Sequence, residues 1–181
     1  MRSGTCASPG GPRGARQERG AVSTRPYRHT VDPLLISLHL VDSENAWLLD
    51  HVVDDVFDEK VDAELLRAFL GNPANLLVVA VAEGEVIGMA SGICYVHPDK
   101  PLALFVNEVG VSERYQRQGI GRRLVTRLLE RGRELGCREA WVATEVDNAP
   151  ARALYDGLEG VEDPAHAVVY TWDLSDPATG S

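Results

Sequence analysis

Residues 102–125 read LALFVNEVGVSERYQRQGIGRRLV. Leu102 to Val111 is an apolar, β-branched run with strand character, and from Gly119 the period changes. Ile120, Leu124, Val125, Leu128 and Leu129 fall on one stripe, which predicts a helix to Leu135 with Gly136 as its cap. EAWVATE, Glu139 to Glu145, predicts a further strand, so the segment reads as a βαβ crossover. The turn between strand and helix is its most informative part. Gly119 and Gly121 have no Cβ, so a ligand can come close to the backbone. The first N–H groups of the helix lack partners within it and point outward at the positive end of its dipole. Arg117, Arg122 and Arg123 add positive charge, and an anion such as a phosphate suits that place.

The flanking sequence supplies the other elements. Leu34 to Leu40 reads as a first strand, and Asp42 or Ser43 caps a helix through Val53. DDVFDEK, Asp54 to Lys60, is an acidic loop. Asp62 opens a helix with Leu65, Leu66, Phe69 and Leu70 on one face, ended by Gly71-Asn72-Pro73. Leu76 to Ala82 and Val86 to Cys94 flank Glu83-Gly84-Glu85 as a hairpin. Pro150 lies in the first turn of a short helix ending near Tyr155 or Leu158, and Val168 to Leu174 reads as a last strand. The fold class is α/β: a mixed sheet, antiparallel in its N-terminal half, with a parallel βαβ crossover near the C-terminus.

With 181 residues, 44% of them hydrophobic, the chain suits one domain, expected over residues 34–175. Residues 1–33, rich in Gly, Pro, Ser and Arg, bury too little to offset their ordering entropy and are expected to be a disordered tail. Residues 176–181 are expected to be a flexible C-terminus. No apolar run follows the arginines, so the tail does not read as a secretory signal. Its Arg-rich composition leaves a mitochondrial-type presequence or a misassigned start as competing readings. From residue 36 onward 12 basic side chains face 25 acidic ones, a net of −13 against −9 for the whole chain. That surface repels nucleic acid and anionic membrane and attracts cations, and it also serves solubility. Cys6, Cys94 and Cys137 are odd in number and share no CxxC spacing, which argues against a disulfide framework or zinc site and for a reducing cytoplasm. The five histidines are scattered, so no metal site is expected. No stretch approaches the about 18 to 20 apolar residues of a membrane span.

The glycine pair fails two common phosphate-binding patterns. There is no GxxxxGK[ST], and Gly119-Ile120-Gly121 is followed by Arg122-Arg123-Leu124 rather than by the third glycine of GxGxxG. EVGVSERYQRQGIGRRLV instead resembles motif A of the GNAT superfamily of N-acetyltransferases, [RQ]-x-x-G-x-[GA] after a strand, matched by Gln116, Gly119 and Gly121. NAPARALY resembles the N-x-x-A-x-x-L-Y motif of the same superfamily through Asn148, Ala151, Leu154 and Tyr155. The likeness spans residues 34–174. It departs where the family carries a Gly and an aromatic or aliphatic residue four and five positions after the tyrosine; here those places hold Glu159 and Gly160.

The resemblance implies acetyl-CoA as co-substrate and no metal. Gln116, Arg117, Gln118, Gly119, Ile120, Gly121 and Arg122 would hold its pyrophosphate, with Asn148 and Ala151 also on the cofactor side. Val109 and Val111 would offer backbone N–H groups to pantetheine and the thioester carbonyl. Tyr155 is implied as the acid that protonates the departing thiolate, although a tyrosine there equally fits packing onto the core. Glu108 is implied as the base, acting through water; strand alternation turns it to the face opposite Val109. A carboxylate in an apolar strand is costly to bury unpaired, and an exposed position or one that only orients the amine are its other readings.

Within the superfamily the closest likeness is to the aminoglycoside (gentamicin) 3-N-acetyltransferases. Glu108, Val111 to Glu113, Arg117 to Ile120, Pro150, Ala151, Ala153 to Tyr155, Asp173 and Pro177 carry it. That likeness implies a cytoplasmic, antibiotic-modifying enzyme acting on a 3-amino group, and it suggests a homodimer. Its small cationic acceptor would meet a mouth lined by Asp54, Asp55, Asp58, Glu59, Glu145 and Asp147. The alternatives are another amine (a polyamine, a protein N-terminus or lysine) and a catalytically silent acyl-CoA-binding module, which would keep the glycine turn without needing Tyr155 or Glu108.

Overall fold

The computed structural model describes residues 32, 35–165, 167–172 and 174. The expected tail apart from Asp32, Cys6, Asp173, Pro177 and the 176–181 terminus lie outside the described residues. Five strands, β1 (Ser37–Leu40), β2 (Asn75–Ala82), β3 (Glu85–Tyr95), β4 (Ala103–Val111) and β5 (Glu139–Val142), form one sheet in that order. β1 to β4 are antiparallel, and β5 lies parallel to β4 through the crossover helix α2 (Ile120–Glu134). This is the mixed sheet expected from the sequence. Helices α1 (Ala63–Leu70) and α3 (Ala149–Asp156) and the short 3-10 helices Ala46–Asp50 and Glu113–Tyr115 lie among the described residues as well.

β2 and β3 are the centre of the core. Val78, Val79 and Ala80 on one, and Val86, Ile87, Met89 and Ala90 on the other, are completely buried. Both faces of these strands are therefore covered, which is why their sequences run apolar without alternation. α2 covers one face: a Cβ on Gly88 or Gly92 would stand 3.2 or 3.3 Å from a methyl of Leu124 or Leu128. On the other side the Ala46–Asp50 helix packs against β3 and α1 against β2. Full burial of a Leu or Ile contributes about 1.5–3 kcal/mol. Ile120, Leu124 and Leu128 thus fix α2, and with it the turn before Ile120, on the sheet. The β2–β3 hairpin closes through Glu83 and Gly84, both at positive φ (53° and 85°), the hand that matches strand twist.

Several local expectations fail for identifiable reasons. The helix expected from Asp42 to Val53 shrinks to the 3-10 helix Ala46–Asp50. The Asp42 carboxylate accepts from the N–H groups of Glu44 and Asn45 (2.8 and 3.1 Å), a turn that delays the helix. Val52 and Val53 leave it to bridge Val86, whose carbonyl accepts from Val53 N–H at 3.0 Å. Asp62 does cap α1, accepting from Glu64 and Leu65 N–H at 2.8 and 2.9 Å, but Leu65 is 73% exposed and does not join the packed face. β5 stops at Val142 rather than Glu145. The strand expected over 168–174 is absent: residues 168–172 and 174 are described without strand structure, and Val168, Val169, Tyr170, Trp172 and Leu174 are exposed. β-propensity expresses the fit to a neighbouring strand, and no ladder there supplies one. The fold also joins what the sequence separates: the free thiols of Cys94 and Cys137 lie 3.5 Å apart.

Candidate functional site

The site begins with an irregularity in β4. Ser91 pairs with Glu108 but Gly92 pairs with Val106, so Asn107 is an extra, bulged residue. Gly92 faces Leu128 of α2. Val106, opposite Gly92, shares that face, and Glu108, opposite Ser91, lies on the other. Without the bulge Val106 and Glu108 would share a face. The alternation expected between Glu108 and Val109 holds. β5 accompanies β4 only from Ala103 to Val106, so beyond the bulge Asn107 to Val111 have β3 on one side and no β5 partner on the other. The backbone of Val109 and Val111 thus borders an opening wedge.

At the end of the wedge the chain turns into α2. Gln116 does not face outward as a simple ligand: its Nε2 donates to the carbonyl of Val111 at 2.9 Å and braces the turn. Arg117 and Gly119 both take positive φ (65° and 78°), so the backbone reverses twice around Gln118 before Ile120 starts the helix. For Arg117 that conformation is unusual and marks a locally constrained turn. A Cβ on Gly119 would meet nothing within 4 Å, so space lies open at the helix start. A Cβ on Gly121 would make ordinary contact with Leu154 at 3.5 Å and Val111 at 3.8 Å. Leu154 therefore carries α3, and the adjacent Tyr155, to the N-terminus of α2. Arg122 lies along α3 near Gly157, whereas Arg123 donates to the carbonyl of Ile36 at 2.8 Å, on the side of β1. Arg117 and Arg122 remain exposed beside the turn.

On the face of Glu108 lies the acidic loop. Burial, and then the nearby charge of Asp58, push the Glu108 carboxyl above its ordinary pKa. Ser91, opposite Glu108, is buried, and its hydroxyl has no hydrogen-bond partner among the described residues. Asp54 and Asp55 line a cleft of about 380 Å³ with Glu85, Glu113 and Arg114. Asp55 accepts the backbone N–H of Glu113 at 2.8 Å. Glu59 is exposed.

Glu145 and Asp147 sit in the loop before α3 rather than in that cleft. Glu145 is held below the ordinary carboxylate pKa by its own backbone N–H and by Asn148 and Thr144. Asn148 caps α3, accepting from Ala151 N–H at 3.2 Å, so both residues have a structural employment. Burial pushes the Tyr155 phenol above its ordinary pKa. Sequence reasoning missed the Asn107 bulge, the hydroxyl of Ser91 and the Asp55–Glu113 bond; a polar residue inside an apolar strand was the one available signal, at Asn107. Among the described residues no helix is long and apolar enough to cross a membrane, and no group of three or more His, Cys, Asp or Glu side chains is placed to hold a metal ion.

A crossover sheet whose strand end splays beside a glycine-opened helix start belongs to the class of α/β folds that bind an anionic cofactor at that junction. Residues 41–158 match the acetyltransferase (GNAT) family, and the chain belongs to that family. It is therefore a GNAT acetyltransferase. It is 29% identical over 117 residues to the L-2,4-diaminobutyric acid acetyltransferase of Virgibacillus pantothenticus, covering 65% of this chain and 71% of that one. Among solved structures it resembles an aminoglycoside acetyltransferase from an uncultured soil metagenomic sample, in complex with trehalose (TM-score 0.67, 21% identity, 78% of this chain and 99% of that one). It also resembles the aminoglycoside N-acetyltransferase AAC(6')-Iy bound to a CoA-containing bisubstrate analogue (TM-score 0.63, 18% identity, 76% and 98%). At these identities the two structures support the fold.

Proposed function

We propose that the chain transfers the acetyl group of acetyl-CoA to a primary amine of a small cationic acceptor, with the 3-amino group of an aminoglycoside as the foremost candidate. The observation that carries this reading is the turn itself: left-handed Gly119, with open space where a side chain would be, at the N-terminus of α2 and the end of the β4 wedge. Unpaired N–H groups of Gly119, Ile120 and Gly121, with Arg117 and Arg122, suit the pyrophosphate. Val109 and Val111 border the path of pantetheine. Asn148 and Ala151 would act on the cofactor side by shaping the start of α3.

Acetyl-CoA supplies an activated thioester carbon. Glu108 takes the proton that the ammonium must lose, through water, so that the amine nitrogen can attack. Backbone N–H groups of the β4 end hold the carbonyl oxygen as it gains charge. As the C–S bond breaks, Tyr155 gives its phenolic proton to the sulfur; the second proton that the nitrogen sheds on becoming an amide returns through water to the phenolate, and the proton on Glu108 passes to solvent. The raised pKa values of both residues favour these roles: Glu108 becomes a better base, and Tyr155 stays protonated. Asp54, Asp58 and Glu59, with Glu145 and Asp147 as further candidates, would attract the cationic acceptor. A solved neighbour in complex with sisomicin supports an aminoglycoside, and the diaminobutyrate-acetylating relative supports a smaller diamine.

The test is thiol release from acetyl-CoA across aminoglycosides with and without a free 3-amino group, 2,4-diaminobutyrate and polyamines. Release that disappears when the 3-amine is blocked supports the aminoglycoside reading. A flat response to every aminoglycoside removes it while leaving the family intact. CoA binding with no acetylation of any amine favours a silent acyl-CoA-binding module.

A further inference from the structure

The acidic loop is fastened to the end of β4 and the turn beyond it. Its start is tied to β3 by the bonds Val53 N–H to Val86 O (3.0 Å) and Val86 N–H to His51 O (2.8 Å). Val56, buried, presses its carbonyl against Gly110, where a Cβ would collide with it. Asp55 Oδ2 then accepts the N–H of Glu113 at 2.8 Å, across 58 positions of sequence. The Ser112 hydroxyl, fully buried, lies beside the same carboxylate without the alignment of a full hydrogen bond. Burial works to raise the Asp55 pKa, but the Glu113 N–H, Ser112 and Arg114 hold it below the ordinary value.

Glu113 opens the 3-10 helix Glu113–Tyr115, whose N-cap residue Ser112 makes no side-chain cap bond. The first N–H of a helix has no partner inside it. Asp55 therefore does from a distant loop what an N-cap side chain does locally. Tyr115, buried, closes that helix with its N–H on Ser112 O at 2.8 Å, and the chain enters Gln116 and the left-handed Arg117 directly. The direction of approach to the Gly119 turn is set at Ser112–Glu113.

We propose that Asp55 is a positioning residue: by holding the Glu113 N–H it fixes the β4–α2 turn in the shape that receives the CoA pyrophosphate, and so links the acceptor loop to the cofactor site. This rests on the reading of Gln116 to Gly121 as a CoA site. The bond from the Glu113 N–H to the Asp55 carboxylate ties loop 54–60 to the segment leading into the cofactor turn, and through it the affinities of the two substrates would be coupled.

Calorimetric titration of the full chain with CoA reads this without an acceptor. Asp55→Ala raises the CoA Kd by about ten- to a hundredfold, the size expected for loss of one charge-assisted bond. Asp55→Asn keeps an oxygen that can accept the N–H and restores Kd to within about twofold of wild type. Glu113→Pro deletes the donor itself; Ser112 already has ψ 134°, which suits a residue before proline, and the first helical position tolerates proline. Glu113→Pro weakens CoA by a similar factor, and adding Asp55→Ala to it brings no further loss. The proposal is overturned if Asn fails to rescue, if the two changes add, or if both Asp55 variants leave CoA Kd unchanged while raising the acceptor KM alike. A wild-type chain that binds no CoA removes the cofactor reading first, and the role of Asp55 with it.

Discussion

The N–H of Gly160 donates to the carbonyl oxygen of Tyr155 at 3.0 Å, and the residue it closes over, Glu159, stands at φ +64°. The motif resemblance places a glycine there, and here a glutamate takes the left-handed backbone. The conformation costs a residue with a Cβ about 1–2 kcal/mol. Glycine loses part of that advantage to its larger unfolded-state entropy. Glu159→Gly is expected to raise stability by about 0.5–1 kcal/mol, seen as a higher urea midpoint at unchanged slope. A lower midpoint would mean that the turn after α3 has another shape.

Glu108 and Asp58 give a pH prediction with a definite sign. Glu108 must be ionised to take a proton, so kcat/KM falls as pH drops through its raised pKa. Asp58→Asn removes a like charge and lowers that pKa, so the acidic limb of the profile moves to lower pH. Glu108→Gln removes the limb and costs about a hundredfold in kcat/KM. A limb that stays in place in both variants would assign the titration to another group.

Tyr155 is distinguished by which constant moves. Its phenol, kept protonated by burial, is half-buried on α3. Tyr155→Phe keeps the ring and its packing, so CoA affinity should hold within about twofold while kcat falls about a hundredfold. An unchanged kcat leaves Tyr155 a packing residue.

What the sequence could disclose was local. The stripe Ile120–Leu124–Leu128, the Glu83–Gly84 turn and the Asp62 cap are written in a few neighbouring residues, and each is found where expected. What it could not disclose depends on partners far along the chain. Val52 and Val53 leave the helical pattern because Val86 is there to pair with them. Asn107 bulges where β4 outruns β5, and only that one-residue slip puts Glu108 on the face of Asp58. Asp55 read as one acid among several in a solvated loop, and its bond to Glu113 spans 58 positions. The segment 168–174 has strand composition, yet its described residues, 168–172 and 174, join no ladder, which composition cannot report.

The most direct test of the central claim is CoA binding by Gly119→Ala, with Gly84→Ala as its matched control. Both glycines have positive φ (78° and 85°), and a Cβ on either meets nothing within 4 Å of the protein. Each substitution should therefore cost the fold a similar amount, about 1 kcal/mol. Only Gly119 borders the proposed pyrophosphate site. Gly119→Ala is predicted to weaken CoA by at least about tenfold while Gly84→Ala binds like wild type. Equal CoA affinity in the two variants would contradict the assignment of Gln116 to Gly121 as the cofactor cradle.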